Sequence, residues 1–144
     1  MQTSEPTRGQ LERTLSQRIE ALYRNQLGHR PAKVTCRIFD EQIAIILEEA
    51  ITPPEQLLAN SGQEELAEQV RLDLDKALQP QLVQLIEEVV GVSVKDVLSD
   101  AKVDTGRTGA IAILSAPPQL RQPSTDLKSK KPKASEAGLN GDEP

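Results

Sequence analysis

The stretch Ile51-Thr52-Pro53-Pro54-Glu55-Gln56-Leu57-Leu58 decides the fold. Thr52 suits a helix N-cap, Pro53 suits the first helical position, and Glu55 stands where a capping box closes. The spacing predicts a short helix over 53–60. Just before it lies Ile43-Ala44-Ile45-Ile46-Leu47, apolar at every position. A strand that is apolar on both faces lies inside a sheet or under a partner. Ile43 and Ile45 are therefore candidate packing and interaction residues.

Working upstream, Asp40-Glu41 forms a polar turn, and residues 33–39 alternate. Val34, Cys36 and Ile38 face one way; Lys33, Thr35 and Arg37 face the other. So short a turn makes the two strands an antiparallel hairpin. Residues 9–27 carry Leu11, Leu15, Ile19 and Leu22 at helical spacing, with Tyr23 and Leu27 at the edge of the stripe. Gly28 follows as a left-handed cap, and Pro31 blocks continuation.

Working downstream, Ser61 and Glu64 repeat the capping-box spacing. Leu66, Val70, Leu74, Leu78, Leu82, Leu85 and Val89 then define a stripe that Gly91 closes. Pro80 falls inside it, where a proline costs about 3 kcal/mol, so a kink or a break is expected there. Val92–Val94 and Val97–Val103 read as a third strand, bulged near Lys95-Asp96 where the alternation slips. Asp104 to Gly109 is turn chemistry, and Ala110–Leu114 is a fourth strand. The fold class is α+β, in the order α-β-β-α-α-β-β. Two hairpins make a four-stranded antiparallel sheet with helices on one face. Residues 1–8 are expected to be a flexible N-terminus, 9–116 one domain, and 117–144 a disordered polar tail.

Composition narrows the function. The chain has 144 residues and a net charge of −5, which disfavours wholesale phosphate binding. Its aromatics are Tyr23 and Phe39, too few for a base-stacking platform. Charge is uneven: residues 1–39 balance at +4 and residues 40–100 at −11. With Cys36 alone, no intrachain disulfide forms, and a reducing cytoplasm is the natural setting. No apolar run is long enough to span a bilayer, and Met1–Glu5 lacks a signal-peptide pattern.

Reactive constellations are missing from the sequence. His29 and Cys36 lack the neighbours that a metal site or a thiol nucleophile requires. Thr105-Gly106-Arg107-Thr108-Gly109 fails the phosphate-loop spacing and reads as a hairpin turn. The carboxylate pairs Glu48-Glu49, Glu64-Glu65, Asp73 with Asp75, and Glu87-Glu88 sit where solvated faces are expected. Arg71 stands out among acids. It would form a surface pair with Glu68 or Asp75, or, turned to the sheet, a partly buried bridge to Asp96 or Asp100. The candidate structural and interaction residues are Thr52, Glu55, Arg71, Asp96, Asp100, Ile43 and Ile45; no catalytic residue, metal or cofactor is assigned.

The ordered set Gly28-His29-Arg30-Pro31, the Val/Ile hairpin, Ile51-Thr52-Pro53-Pro54-Glu55, Arg71, Ile86-Glu87 to Gly91, Val94, Ser99-Asp100 and a closing aliphatic strand resembles the MpsC-like family of small bacterial domains. That family bears the name of the C subunit of a sodium-translocating, membrane-potential-generating system. The resemblance runs from about Leu11 to Leu114. Family members usually carry a Gly-Lys/Arg-Gly-Pro-like loop and an aromatic in the last strand. This chain has His29-Arg30 in the loop, and Ile111 and Ile113 in the strand.

The resemblance implies a soluble accessory protein linked to membrane potential or inorganic-carbon uptake, with no established active site. The expected function is a non-enzymatic interaction domain. It would be cytoplasmic, at most peripheral to the membrane's inner face, and homo-oligomeric or docked on a protein partner such as a transporter complex. The alternative is a cytosolic regulator that binds a small ligand or nucleic acid through its basic first helix and the Lys128–Lys133 cluster.

Overall fold

A computed structural model describes residues 5–121. The elements are α1 (Arg8–Leu27), β1 (Lys33–Phe39), β2 (Gln42–Glu48), α2 (Pro53–Asn60), α3 (Glu64–Val90), β3 (Val94–Lys102) and β4 (Arg107–Leu114). The expected order and the antiparallel four-stranded sheet are both present, with strands arranged β1-β2-β4-β3. Gly9–Pro118 forms one compact unit. Outside that unit, Arg121 N–H donates to the Pro6 carbonyl at 2.7 Å. The Lys128–Lys133 cluster and most of the tail lie outside the described residues.

Each hairpin is antiparallel, and the second strands of the two, β2 and β4, pair at the sheet centre. Asp40 takes a φ of 54° in the first turn, a left-handed conformation that aspartate tolerates. The bulge expected near Lys95-Asp96 is found as a register shift between Val94 and Asp96. β4 begins at Arg107, so Thr108 and Gly109 belong to the strand and not to the turn.

The helices cover one sheet face. Cys36, Ile38, Ile43, Ile45, Leu47, Thr108, Ala112 and Leu114 are buried there, together with Leu11, Leu15, Ile19 and Tyr23 of α1. Tyr23, and not Leu22, completes the α1 stripe. Gly28 closes α1 at a φ of 70°, as its position predicts. Ile43 and Ile45 belong wholly to this core, so neither is free to touch a partner.

α3 departs from its expected form in three ways. It runs unbroken through Pro80. Pro80 and Lys76 are both exposed, so the Lys76 carbonyl left without an amide donor can be hydrated. The N-cap is Gln63, while Ser61 caps the end of α2, so Ser61 and Glu64 make no second capping box. The buried stripe in the first half runs through Ala67 and Arg71, leaving Leu66 exposed. Among the described residues, no helix is long and apolar enough to cross a membrane.

Candidate functional site

The polar residues of the Thr52 segment meet α3 in a buried ionic clasp. Thr52 donates its backbone N–H (3.2 Å) and its hydroxyl (2.6 Å) to Glu55 Oε2. The capping reach of Glu55 expected from sequence is thus made, but the same carboxylate also receives a guanidinium. Arg71 donates from Nε to Oε1 at 2.8 Å and from Nη2 to Oε2 at 2.7 Å, a bidentate fork. Nη2 also donates to the Ala50 carbonyl at 2.9 Å, and Nη1 to Asp75 Oδ1 at 3.1 Å. Arg71 is 0% exposed and Glu55 1%. Four of the five donors of the guanidinium are engaged. One side chain thereby joins the end of the first hairpin, the start of α2 and the body of α3.

The expected pair of Arg71 with Asp75 is made, but inside the fold and not on the surface, and Arg71 does not bridge to Asp96 or Asp100. Arg71 and Asp100 border one groove of about 300 Å³, but Asp96 is not part of it. Asp75, expected on a solvated face, is nearly buried. Burial raises its carboxyl above the usual aspartate range, against the opposing pull of Arg71. The Tyr23 hydroxyl lies 3.5 Å from Asp75 Oδ1, and burial, then the aspartate charge, push its phenol upward. For Arg71, burial works against the charge but is outweighed by the bonds to Glu55 and Asp75, so its pKa is raised. Asp75 and Thr108 line a cavity of about 20 Å³, the size that one water fills, and neither Asp75 Oδ2 nor Thr108 Oγ1 has a hydrogen-bond partner among the described residues. With one guanidinium against two carboxylates, the clasp is built to hold elements together.

His29 and Cys36 have structural places. His29 Nε2 lies 2.8 Å from the Glu49 carbonyl, where the chain turns out of β2 at a φ of 50°. Cys36 is buried, and burial raises its thiol pKa, the opposite of what activates a nucleophile. Among the described residues, no group of His, Cys, Asp and Glu is arranged to hold a metal ion.

The second feature is the sheet face that no helix of the described residues covers. The strand registers place its outward residues in four rows running from β1 to β3. These are Phe39-Gln42-Ile113-Asp96, Arg37-Ala44-Ile111-Leu98, Thr35-Ile46-Gly109-Asp100 and Lys33-Glu48-Arg107-Lys102. Its apolar centre is open to solvent: Leu98 is 58% exposed, Phe39 45%, Ile46 41% and Ile111 37%. The Ile46 side chain leans over Gly109, its Cδ1 3.3 Å from where a Cβ would stand, and the missing side chain is what lets it lie there. A depression of about 340 Å³ opens there between Ala44, Ile46, Leu98 and Ile111. Sequence reading placed the interacting residues of β2 at Ile43 and Ile45; the outward ones are Ala44 and Ile46. The unbroken run Ile43–Leu47 announced two apolar faces; the alternation of β1, carried across the hairpin by the pairs Val34–Leu47, Cys36–Ile45 and Ile38–Ile43, is the signal that tells which one the helices take.

Residues 7–116 match a family described as "Na+-translocating membrane potential-generating system (MpsC)". No curated protein and no solved structure matches the chain.

Proposed function

The chain belongs to the MpsC family, and on that premise we propose that it is a non-enzymatic accessory subunit of a membrane-potential-generating system, docking through its open sheet face. The observation that carries this reading is the division of labour between the two features. The ionic groups of the clasp are spent on one another inside the fold. The large apolar side chains Phe39, Ile46, Leu98 and Ile111 gather on one outer face. Exposed apolar patches rimmed by polar residues mark protein contact surfaces. The transmembrane work in such a system falls to a membrane-embedded partner, with this subunit peripheral to the cytoplasmic side. The transported species, sodium or bicarbonate, is then handled by that partner.

The test is made in the native host. The chromosomal copy is deleted and replaced by wild type or by Ile111→Lys, and membrane potential is read with a voltage-sensitive dye. Deletion should lower the potential, wild type should restore it, and Ile111→Lys should fail at equal protein level. A deletion strain with unchanged potential, or full rescue by Ile111→Lys, overturns the reading.

A further inference from the structure

The open sheet face is self-complementary, and we propose that its occupant is a second copy of this chain, packed face to face about a twofold axis parallel to the strands. The proposal rests on the docking reading above and names the partner of that surface.

Side chains occupy backbone amides on both edges of the sheet, which disfavours edge-to-edge growth. On β3, Asp96 Oδ1 accepts the Val97 N–H at 2.9 Å and Asp100 Oδ1 accepts the Ala101 N–H at 2.8 Å. On β1, Glu12 Oε2 accepts the Ile38 N–H at 2.8 Å. Amide groups tied up by side chains cannot template a fifth strand. Association of the sheet is left to its face.

The centre of that face alternates large and small residues on a diagonal: Ala44 beside Ile111 in one row, Ile46 beside Gly109 in the next. A twofold axis running between β2 and β4 sets β2 of one copy over β4 of the other. Ile46 of one copy then lies over Gly109 of the other, beside the Cδ1 of that chain's own Ile46, and Ile111 lies over Ala44, so each of these isoleucines meets a small residue. Sheets stacked about 10 Å apart interdigitate in this way.

Charge selects the axis. The same rotation lays the β1 edge, with Lys33 and Arg37 on the open face, over the β3 edge, with Asp96, Asp100 and Lys102; Arg37 keeps one bond on its own strand, from Nη1 to the Cys36 carbonyl at 2.9 Å. Arg37 of one copy comes level with Leu98 of the other, midway between the two aspartates. Each aspartate uses Oδ1 on its own strand, which leaves Oδ2 as a second acceptor. Lys33 falls level with Lys102, in the row that also holds the Glu48–Arg107 pair at 2.8 Å. A twofold across the strands would instead lay basic edge on basic edge. Four strands about 4.8 Å apart and seven residues at about 3.3 Å span roughly 19 by 23 Å. That is a small contact beside the ~800 Å² per partner of a standard interface. The dimer is therefore a weak, reversible one.

Sedimentation equilibrium of the full chain up to millimolar concentration tests this, with circular dichroism confirming that each variant is folded. The wild type should show a concentration-dependent monomer–dimer equilibrium. Leu98→Arg puts like charges opposite Arg37, and Arg37→Glu faces the two aspartates; each should raise the dissociation constant by about tenfold or more. The double variant Arg37→Glu/Leu98→Arg restores an opposite pair and should recover much of the loss. A wild type that stays monomeric overturns the dimer, as does a dimer indifferent to both single substitutions. If the dimer fails while Ile111→Lys still abolishes rescue in the host, the face serves another partner and the accessory reading stands. If a dimer forms and Ile111→Lys still rescues, the dimer stands and the accessory reading falls.

Discussion

Arg71 concentrates the energetics of the fold in one side chain. Removing it alone by Arg71→Met leaves Glu55 buried and without its cation, and the expected loss is about 3–5 kcal/mol. Combining Arg71→Met with Glu55→Gln and Asp75→Asn removes the uncompensated charge and should recover most of that loss, both read by urea unfolding. Asp75 adds a pH signature. Its folded pKa is raised, so between the unfolded and the folded value the folded state binds more protons than the unfolded chain. Stability contributed by this group is then full below the unfolded aspartate value of about 3.9 and falls as pH rises through the folded value. The stability difference between wild type and Asp75→Asn should therefore shrink, or turn against wild type, as pH is raised from acid toward neutral. Part of this clasp was legible in the sequence. Thr52 and Glu55 announced themselves by capping spacing, because capping is a contact between near neighbours. The bond from Arg71 to Glu55 spans sixteen residues and left no local trace. The available signal was phase: Arg71 shares a helical stripe with Ala67 and Leu78, an inward position for a charged residue.

The elements were legible where local chemistry is strong and obscure where tertiary packing decides. The hairpins, the bulge and the caps at Gly28 and Gly91 follow from turn residues and alternation. Pro80 followed its own rule less well, because the carbonyl it strands faces water on an exposed helix side. The proline still removes one helix hydrogen bond, so Pro80→Ala should stabilise the protein by about 1–3 kcal/mol, visible as a higher urea midpoint. The β3 edge makes a different prediction. Asp96→Ala with Asp100→Ala frees the Val97 and Ala101 amides that the carboxylates now occupy. Such an edge should recruit other strands, and light scattering should report aggregation on warming that the wild type lacks.

At the scale of the whole molecule, charge is sorted by depth as well as by sequence. The basic first 39 residues supply the β1 edge and the acidic middle supplies Asp96 and Asp100 of the β3 edge, which Lys95 and Lys102 offset, so the asymmetry noted in the sequence becomes only a local polarity across the open face. Sequence alone could count that asymmetry but could not place it, because the strand order that separates β1 from β3 is set by the central β2–β4 pairing. The exposed pair Arg18–Glu88, at 2.7 Å, belongs to the screened exterior, whereas Arg71 and Glu55 are shielded from solvent ions. Salt should therefore act on association and hardly on folding. Raising sodium chloride from about 0.05 to about 0.5 M brings the screening length from beyond 10 Å to below 5 Å, less than the gap between stacked sheets. The dimer dissociation constant should rise several-fold across that range, measured by sedimentation equilibrium, while the urea midpoint of a monomeric Leu98→Arg variant stays nearly constant. Association that tightens with salt would assign the contact to the apolar centre alone and remove the charged edges from the account.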